Sequence, residues 1–271
     1  MTARPTRLVL LGHPVAHSLS PRMQTAAMRA AGIGLSYELV DVAADRLAAT
    51  LRQLAAAGAA GNVTIPHKAA AAACCDELLP LAARTGAVNT FWSDGGRLLG
   101  DNTDVAGFDD AVRELLGALP SEITVAVIGA GGAASGVLAA MERWGSASAV
   151  VYNRTVDRAV ALADRFPALA RVARTSDEAV AGAALIVNAT SVGLSDDAMP
   201  IAVDLLPAGV PVLDLVYRAG ETALVRAARA RGHLAVGGLP MLVGQGAAAF
   251  ERWFGFAPNR SVMWEALQDS H

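Results

Sequence analysis

The sequence predicts an α/β protein of two domains, the second organised around a parallel sheet. Three observations carry this. Over 271 residues, short apolar runs alternate with amphipathic or alanine-rich stretches almost from end to end, the pattern of strands joined by crossover helices. Gly117-Ala118-Leu119-Pro120-Ser121 breaks the chain into two such series. Gly129, Gly131 and Gly132 stand between an apolar run and a helical stretch, where a doubly wound sheet places its first strand-to-helix turn. At roughly 100 to 200 residues per domain, the length allows one large domain or two of ordinary size. Residues 1–104 are assigned to the first, completed by the C-terminal helical segment 241–271, and residues 105–240 to the second.

In the first series Leu8 to Leu11, Tyr37 to Val42, Gly61 to Ile65 and Val88 to Trp92 read as strands, and Pro21 to Ala31 and Asp45 to Ala57 as helices. Ser20 is placed as an N-cap with Pro21 at the first helical position, and Gly32 ends that helix. The alternation predicts parallel pairing here too. Val105 to Leu116 reads as the helix at the domain boundary. The second series gives strands Ile123 to Ile128, Ser148 to Asn153, Leu185 to Ala189, Val212 to Val216 and Leu234 to Val236, with helices Ala133 to Trp144, Val156 to Phe166 and Thr222 to Arg231. Met241 to Phe254 and beyond is alanine-rich and helical, long enough to pack back on the first domain.

Composition excludes several classes. Hydrophobic residues make up 54% of the chain, much of this alanine, which suits closely packed helices. A net charge of -3 leaves no basic footprint for nucleic acid. The apolar stretch Val125 to Met141 is punctuated by four glycines, so it reads as strand, turn and helix rather than a membrane span. Leu8 to Leu11 is too short for a signal peptide, and a cytoplasmic protein is expected. Cys74 and Cys75 are adjacent, which suits neither a disulfide framework nor a metal site; they are read as reduced, buried small hydrophobes, and no metal is expected.

Of 22 basic side chains, all but Lys68 are arginine. An amine can exchange its proton in a suitable environment where a guanidinium cannot, so Lys68 is a candidate for proton transfer; a solvated surface lysine is the alternative. Ser18, Ser20, Thr64, Lys68, Asn89 and Asp104 all fall where strands of the first domain are expected to end, the usual edge for a ligand crevice. Any single hydroxyl among them could equally be a cap or turn former.

Gly129, Gly131, Gly132 and Ala133 form a G-x-G-G-A turn that would let a pyrophosphate approach a helix N-terminus. A tight turn without a ligand would look similar. After the next strand, where NAD-binding proteins tend to carry an acidic residue, the chain reads Asn153-Arg154-Thr155-Val156-Asp157-Arg158. Arg154 and Arg158 can clamp a 2'-phosphate with charge-assisted hydrogen bonds, so the expected cofactor is NADP; Asp157 is expected to face solvent. Ordinary helix-surface charge is the alternative for the two arginines.

Taken together, Gly12 to Pro21, Asn62 to Lys68, Ala87 to Thr90, Gly100 to Asp104, Gly129 to Ala133, Asn153 to Arg158, Asn188 to Ser191, Asp214 to Tyr217 and Met241 to Gln245 resemble the shikimate dehydrogenase family, in order and over essentially the whole chain. The resemblance implies a two-domain fold with a Rossmann-like NADP-binding second domain, and reduction of 3-dehydroshikimate to shikimate by NADPH in aromatic amino-acid biosynthesis. It implies that Ser18, Ser20, Thr64, Asn89, Tyr217 and Gln245 hold the substrate and that Lys68 and Asp104 form the catalytic pair, expected to meet across a cleft between the domains. It adds Thr190, Leu215 and Gly238 to the cofactor set. The implied partner is a small-molecule substrate, with no nucleic acid or membrane, and a monomer or homodimer.

The chain departs from the family pattern at Gln24-Thr25, where a His-Asn pair is common, at Gly237-Gly238 in place of Asp-Gly, and at Leu215 in place of Met. His67 is expected to be a local or solvent-facing group. Quinate or aminoshikimate dehydrogenases share the scaffold, and a non-catalytic NADP-binding regulator is a further alternative. Ser20, Arg154 and Arg158 favour shikimate and NADP; Lys68 and Asp104 argue for an enzyme.

Overall fold

The computed structural model describes residues 4–218 and 220–268. Two compact units emerge, one made of Met1–Gly107 with Val243–His271 and the other of Phe108–Leu242. The chain passes between them inside helix α5 (Asp104–Leu116) and again inside helix α10 (Leu239–Phe254).

In the first unit, β1 (Leu8–Gly12), β2 (Tyr37–Asp41), β3 (Ala60–Val63), β4 (Glu77–Leu78), β5 (Thr90–Asp94) and β6 (Arg97–Asp101) form one sheet in the order β2-β1-β3-β5-β6-β4. β1 and β3 are buried along their whole length, as strands covered on both faces must be. Helix α2 (Leu47–Ala56) presents Leu47, Leu51, Leu54 and Ala55 at helical spacing to a core that includes Val9, Leu11, Phe91 and Leu98. Helix α1 (Ser20–Ala30) packs on α11 (Arg260–Gln268), while α3 (Lys68–Cys74) and α4 (Pro80–Thr85) fill the connections around β4. Cys74 and Cys75 are free and half-buried rather than buried; burial pushes the Cys75 thiol up to about 12.

The sheet is mixed, which corrects the expectation of parallel pairing. β5 runs antiparallel to both β3 and β6. Asp94-Gly95-Gly96-Arg97 closes the β5–β6 hairpin with both glycines at positive φ, +58° and +81°, as a tight turn matched to strand twist demands. The reversal has a consequence for placement. The start of β5 and the end of β6 come to the edge where β1 and β3 finish.

The second unit holds β7 (Thr124–Ile128), β8 (Ser148–Tyr152), β9 (Ala170–Val172), β10 (Leu185–Asn188), β11 (Val212–Asp214) and β12 (Ala235–Val236), all parallel, in the order β12-β11-β10-β7-β8-β9. α6 (Gly132–Met141) is buried along nearly its whole length, so only small and apolar residues fit it. α7 (Val156–Arg165), α8 (Ser176–Val180) and α9 (Ala223–Ala230) are amphipathic and cover the sheet. The reversal of strand order beside β7 makes this a Rossmann-like doubly wound sheet, with ligands expected at its carboxyl edge. No helix among the described residues is long and apolar enough to cross a membrane.

One position tests the central pairing. A Cβ on Gly61 would lie 2.1 Å from the carbonyl oxygen of Val9, an approach that only movement of β1 from β3 can relieve. Gly61→Ala is expected to destabilise the first unit by about 1–3 kcal/mol; urea unfolding indistinguishable from the parent would contradict this packing.

Candidate active site

The site in the first unit is built where α3 begins. The chain leaves β3 at Thr64, whose N–H donates to the Leu11 carbonyl at 2.8 Å. A Cβ on Gly12 would stand 2.5 Å from Thr64 Cγ2, so glycine is needed for this approach. His67 N–H then donates to the Thr64 carbonyl, and His67 precedes the first helical residue, Lys68. The Lys68 carbonyl accepts from Val88 N–H at 2.9 Å, placing the lysine beside the entry to β5.

Lys68 Nζ lies 2.6 Å from Asp104 Oδ2, with side-chain exposures of 16% and 4%. Asn89 Nδ2 donates to Asp104 Oδ1 at 2.9 Å and lies 3.0 Å from Thr103 Oγ1, while Asn89 Oδ1 accepts from Thr103 N–H at 2.7 Å. Gln245 Oε1 approaches the same Asn89 amide at 3.4 Å, at the rim of this array. Asn102 stabilises the turn from below: its Oδ1 accepts from Asp104 N–H, and its Nδ2 donates to Thr85 Oγ1 and the Ala87 carbonyl. Asp101 fixes α10 through Arg252 Nε at 2.9 Å. Lys68, Asn89, Asp104 and Gln245 are thus brought together, all within the first unit; the lysine and aspartate do not meet across two domains.

Ser18 and Ser20 follow β1 on the same edge of the sheet. Ser20 is the first residue of α1 rather than its N-cap, a place taken by Leu19. Its own amide donates to Ser18 Oγ at 3.2 Å, so Ser18 supplies the side-chain acceptor at this helix start. Asn89 precedes β5 instead of following a strand; it reaches the common edge because β5 runs the other way. His67 is buried, with Nε2 2.6 Å from the Val42 carbonyl, and so does not face solvent. Gln24, also buried, donates to the Gly246 carbonyl at 2.9 Å, and the missing side chain of Gly246 admits Met23 and Gln24.

In the second unit the remaining predicted residues line the carboxyl edge of the parallel sheet. Gly129 ends β7 at φ +115°, and a Cβ there would be 2.9 Å from the Ala189 carbonyl group. Gly131 caps α6 without a side-chain hydrogen bond, Gly132 and Ala133 open the helix, and the space a Cβ would take on Gly131 is open. After β8, Asn153 Nδ2 donates to the Thr155 carbonyl. Arg154, Thr155, Asp157 and Arg158 are exposed, and among the described residues neither Arg154 nor Arg158 is in an ion pair. Uncapped amides above a glycine turn and two free guanidinium groups one strand away fit a dinucleotide with a phosphorylated ribose.

Deeper in this edge, Asn188 holds a polar knot. Its Oδ1 accepts from Thr190 N–H and Oγ1, and its Nδ2 donates to Asp214 Oδ1 at 2.8 Å. Thr222 Oγ1 and Val216 N–H also donate to Asp214. Leu215 N–H donates to the Asn188 carbonyl, and a Cβ on Gly238 would lie 2.3 Å from the Leu215 carbonyl oxygen, so that position must be glycine for backbone reasons. Tyr217 is half-buried after β11. Among the described residues, no cluster of His, Cys, Asp and Glu is placed to hold a metal ion.

Sequence reasoning passed over Asn62, Tyr37 and Thr103, which support Asn89. Asn62 carried a visible signal, a polar residue in the middle of a buried strand.

The fold and site define a two-unit α/β oxidoreductase of the dinucleotide-dependent class. Residues 10–91 match the family described as shikimate dehydrogenase substrate binding domain, residues 112–194 match shikimate / quinate 5-dehydrogenase, and residues 238–268 match the shikimate 5'-dehydrogenase C-terminal domain. The chain belongs to the shikimate dehydrogenase family. A shikimate dehydrogenase (NADP(+)) of Thermus thermophilus is 44% identical over 97% of each chain, and one of Rubrobacter xylanophilus is 44% identical over 95% of this chain and 94% of its own. A crystal structure of the Thermus thermophilus shikimate 5-dehydrogenase in complex with NADP(H) and shikimate superposes with a TM-score of 0.87 at 42% identity, covering 97% of this chain and 98% of that one.

Burial raises the Asp214 carboxyl above its ordinary range, against the pull of its three donors. A carboxyl raised on folding opposes stability at pH values above its folded pKa and ceases to do so as pH falls through it. Asp214→Asn lacks that gain on acidification. Its melting temperature relative to the parent is therefore expected to become less favourable from pH 7 towards pH 4; a difference that stays constant or moves the other way would refute the assignment.

Proposed function

We propose that the protein reversibly reduces 3-dehydroshikimate to shikimate with NADPH, a step of the shikimate pathway to aromatic amino acids. One observation carries the reading: Lys68 and Asp104 form a nearly buried pair 2.6 Å apart at the edge where strands β1, β3 and β6 end. A surface lysine has no need of such a partner. Bound NADPH would supply the hydride that reduces the ketone; the turn at Gly129, Gly131, Gly132 and Ala133 would hold its phosphates, Asn153, Arg154, Thr155 and Arg158 its phosphorylated ribose, and Thr190, Leu215 and Gly238 would border the nicotinamide.

The chain's own work is on the substrate. Ser18, Ser20, Thr64, Asn89, Tyr217 and Gln245 offer hydroxyls and amides, which suit a ring rich in hydroxyl groups. Lys68 Nζ donates a proton to the carbonyl oxygen, or stabilises charge developing there, and Asp104 orients the amine. Asn89 occupies the other oxygen of Asp104, so the carboxylate keeps Oδ2 for Lys68. Shikimate is favoured over quinate by Ser20 and by curated relatives that are shikimate dehydrogenases (NADP(+)), and NADP over NAD by the unpaired arginines. The protein acts as a cytoplasmic monomer or homodimer, without nucleic-acid partners.

Lys68→Ala is expected to lower kcat by about a hundredfold to ten-thousandfold with little change in KM for shikimate, and Lys68→Arg to remain poor despite keeping the charge. Near-normal turnover of Lys68→Ala, followed as NADP reduction with shikimate, would remove the proposed role. Assayed beside quinate and with NAD, the parent should prefer shikimate and NADP.

For the cofactor clamp, Arg154→Ala should reduce the kcat/KM preference for NADPH over NADH by roughly tenfold to a hundredfold. An unchanged ratio would mean that Arg154 does not touch the 2'-phosphate.

A further inference from the structure

Asn62 lies inside β3, a strand flanked on both sides and buried at all four residues. An apolar side chain would fill this place without desolvating an amide. Both ends of the Asn62 amide are instead satisfied: Oδ1 accepts from Tyr37 Oη at 2.7 Å, and Nδ2 donates to the Asn89 carbonyl at 2.9 Å. That carbonyl also accepts from Val63 N–H at 2.9 Å. The β3–β5 ladder ends at the pair Asn62–Thr90, so Asn89 is the first residue beyond it and would otherwise be held by a single backbone bond on this side. Tyr37 is supported by the Trp253 ring, centroids 6.1 Å apart, on the same helix that carries Gln245.

We propose that Asn62, backed by Tyr37, is a positioning residue: it fixes the Asn89 peptide so that the Asn89 side chain can hold Asp104 and, through it, Lys68. The inference rests on the proposed role of Asn89 and Asp104 in 3-dehydroshikimate reduction. Asn62 touches none of the reacting groups. It acts by direction, because an amide gripped at both oxygen and nitrogen cannot rotate without losing a buried hydrogen bond.

The test is a functional double-mutant cycle on the full chain with shikimate and NADP. Asn62→Leu, close in volume, is expected to lower kcat/KM for shikimate between about tenfold and a hundredfold, with KM for NADP unchanged. Tyr37→Phe deletes one oxygen and keeps the ring; it should lower kcat/KM by a smaller factor, and it replaces Asn62→Leu in the cycle if that variant does not fold. In an Asn89→Ala background either substitution should cost little more, since its target is gone. The same fold-loss in both backgrounds, or wild-type kcat/KM in Asn62→Leu, overturns the proposal. Wild-type kcat/KM in Asn89→Ala alone marks a different failure, that of the underlying reading of Asn89, and takes the inference with it.

Discussion

A carboxylate that is only 4% exposed has to find its donors inside the protein, and Asp104 imposes that requirement on everything around it. Losing water costs an ionised group several kcal/mol unless charge and hydrogen bonds replace it. Lys68 supplies the charge, Asn89 the second donor, and the Asn102 side chain ties down the backbone at the turn. Each partner in turn needs an anchor. Asn89 is held by Thr103 and Asn62, and Asn102 by Thr85 and Ala87. The array is an arrangement in which no member can be moved without orphaning another. Rigidity of that kind would suit the proton transfer proposed for Lys68.

The backbone makes the arrangement possible by a change of strand direction. Had β5 followed β3 in parallel, Asn89 would lie at the opposite edge from Thr64, and the Lys68 carbonyl could not reach Val88. The Gly95-Gly96 turn sends β6 back in the direction of β1 and β3, so that Asp101 through Asp104 return to the edge where the lysine begins its helix. In the second unit no reversal is needed. A wholly parallel sheet already collects Gly129, Arg154, Thr190 and Leu215 at its carboxyl ends.

This difference explains what could be read in advance. Apolar runs and glycine turns made most of the second sheet legible, since a parallel strand buried on both faces announces itself through hydrophobicity, whereas the short, partly exposed edge strand β9 did not. The short β4 and the hairpin strand β6 escaped notice because Glu77-Leu78 and Arg97-Leu98-Leu99-Gly100-Asp101 have too few apolar residues in a row. Missing β6 also hid the direction of β5, and Asn89 was set after a strand that it precedes. The singular lysine and Asp104 were visible as residues. Around their 2.6 Å pair, Asn89 donates to Asp104 Oδ1 and Asn102 accepts from Asp104 N–H, contacts that no spacing rule encodes. Of the two alternatives left for His67, a local or a solvent-facing group, burial against the Val42 carbonyl keeps the first.

The use of arginine for every other basic group sharpens the contrast between the two units. A guanidinium at the surface remains hydrated, so Arg154 and Arg158 can stay unpaired without penalty and would still meet a phosphate in a directed way. Next to Asp104 the demand is different. In the role proposed for Lys68 the cation must be compact enough to leave room for a substrate oxygen and able to give up a proton, conditions that an amine meets and a guanidinium does not. Lysine brings its whole charge to one atom, and Nζ stands 2.6 Å from Asp104 Oδ2 with 16% of the side chain still exposed.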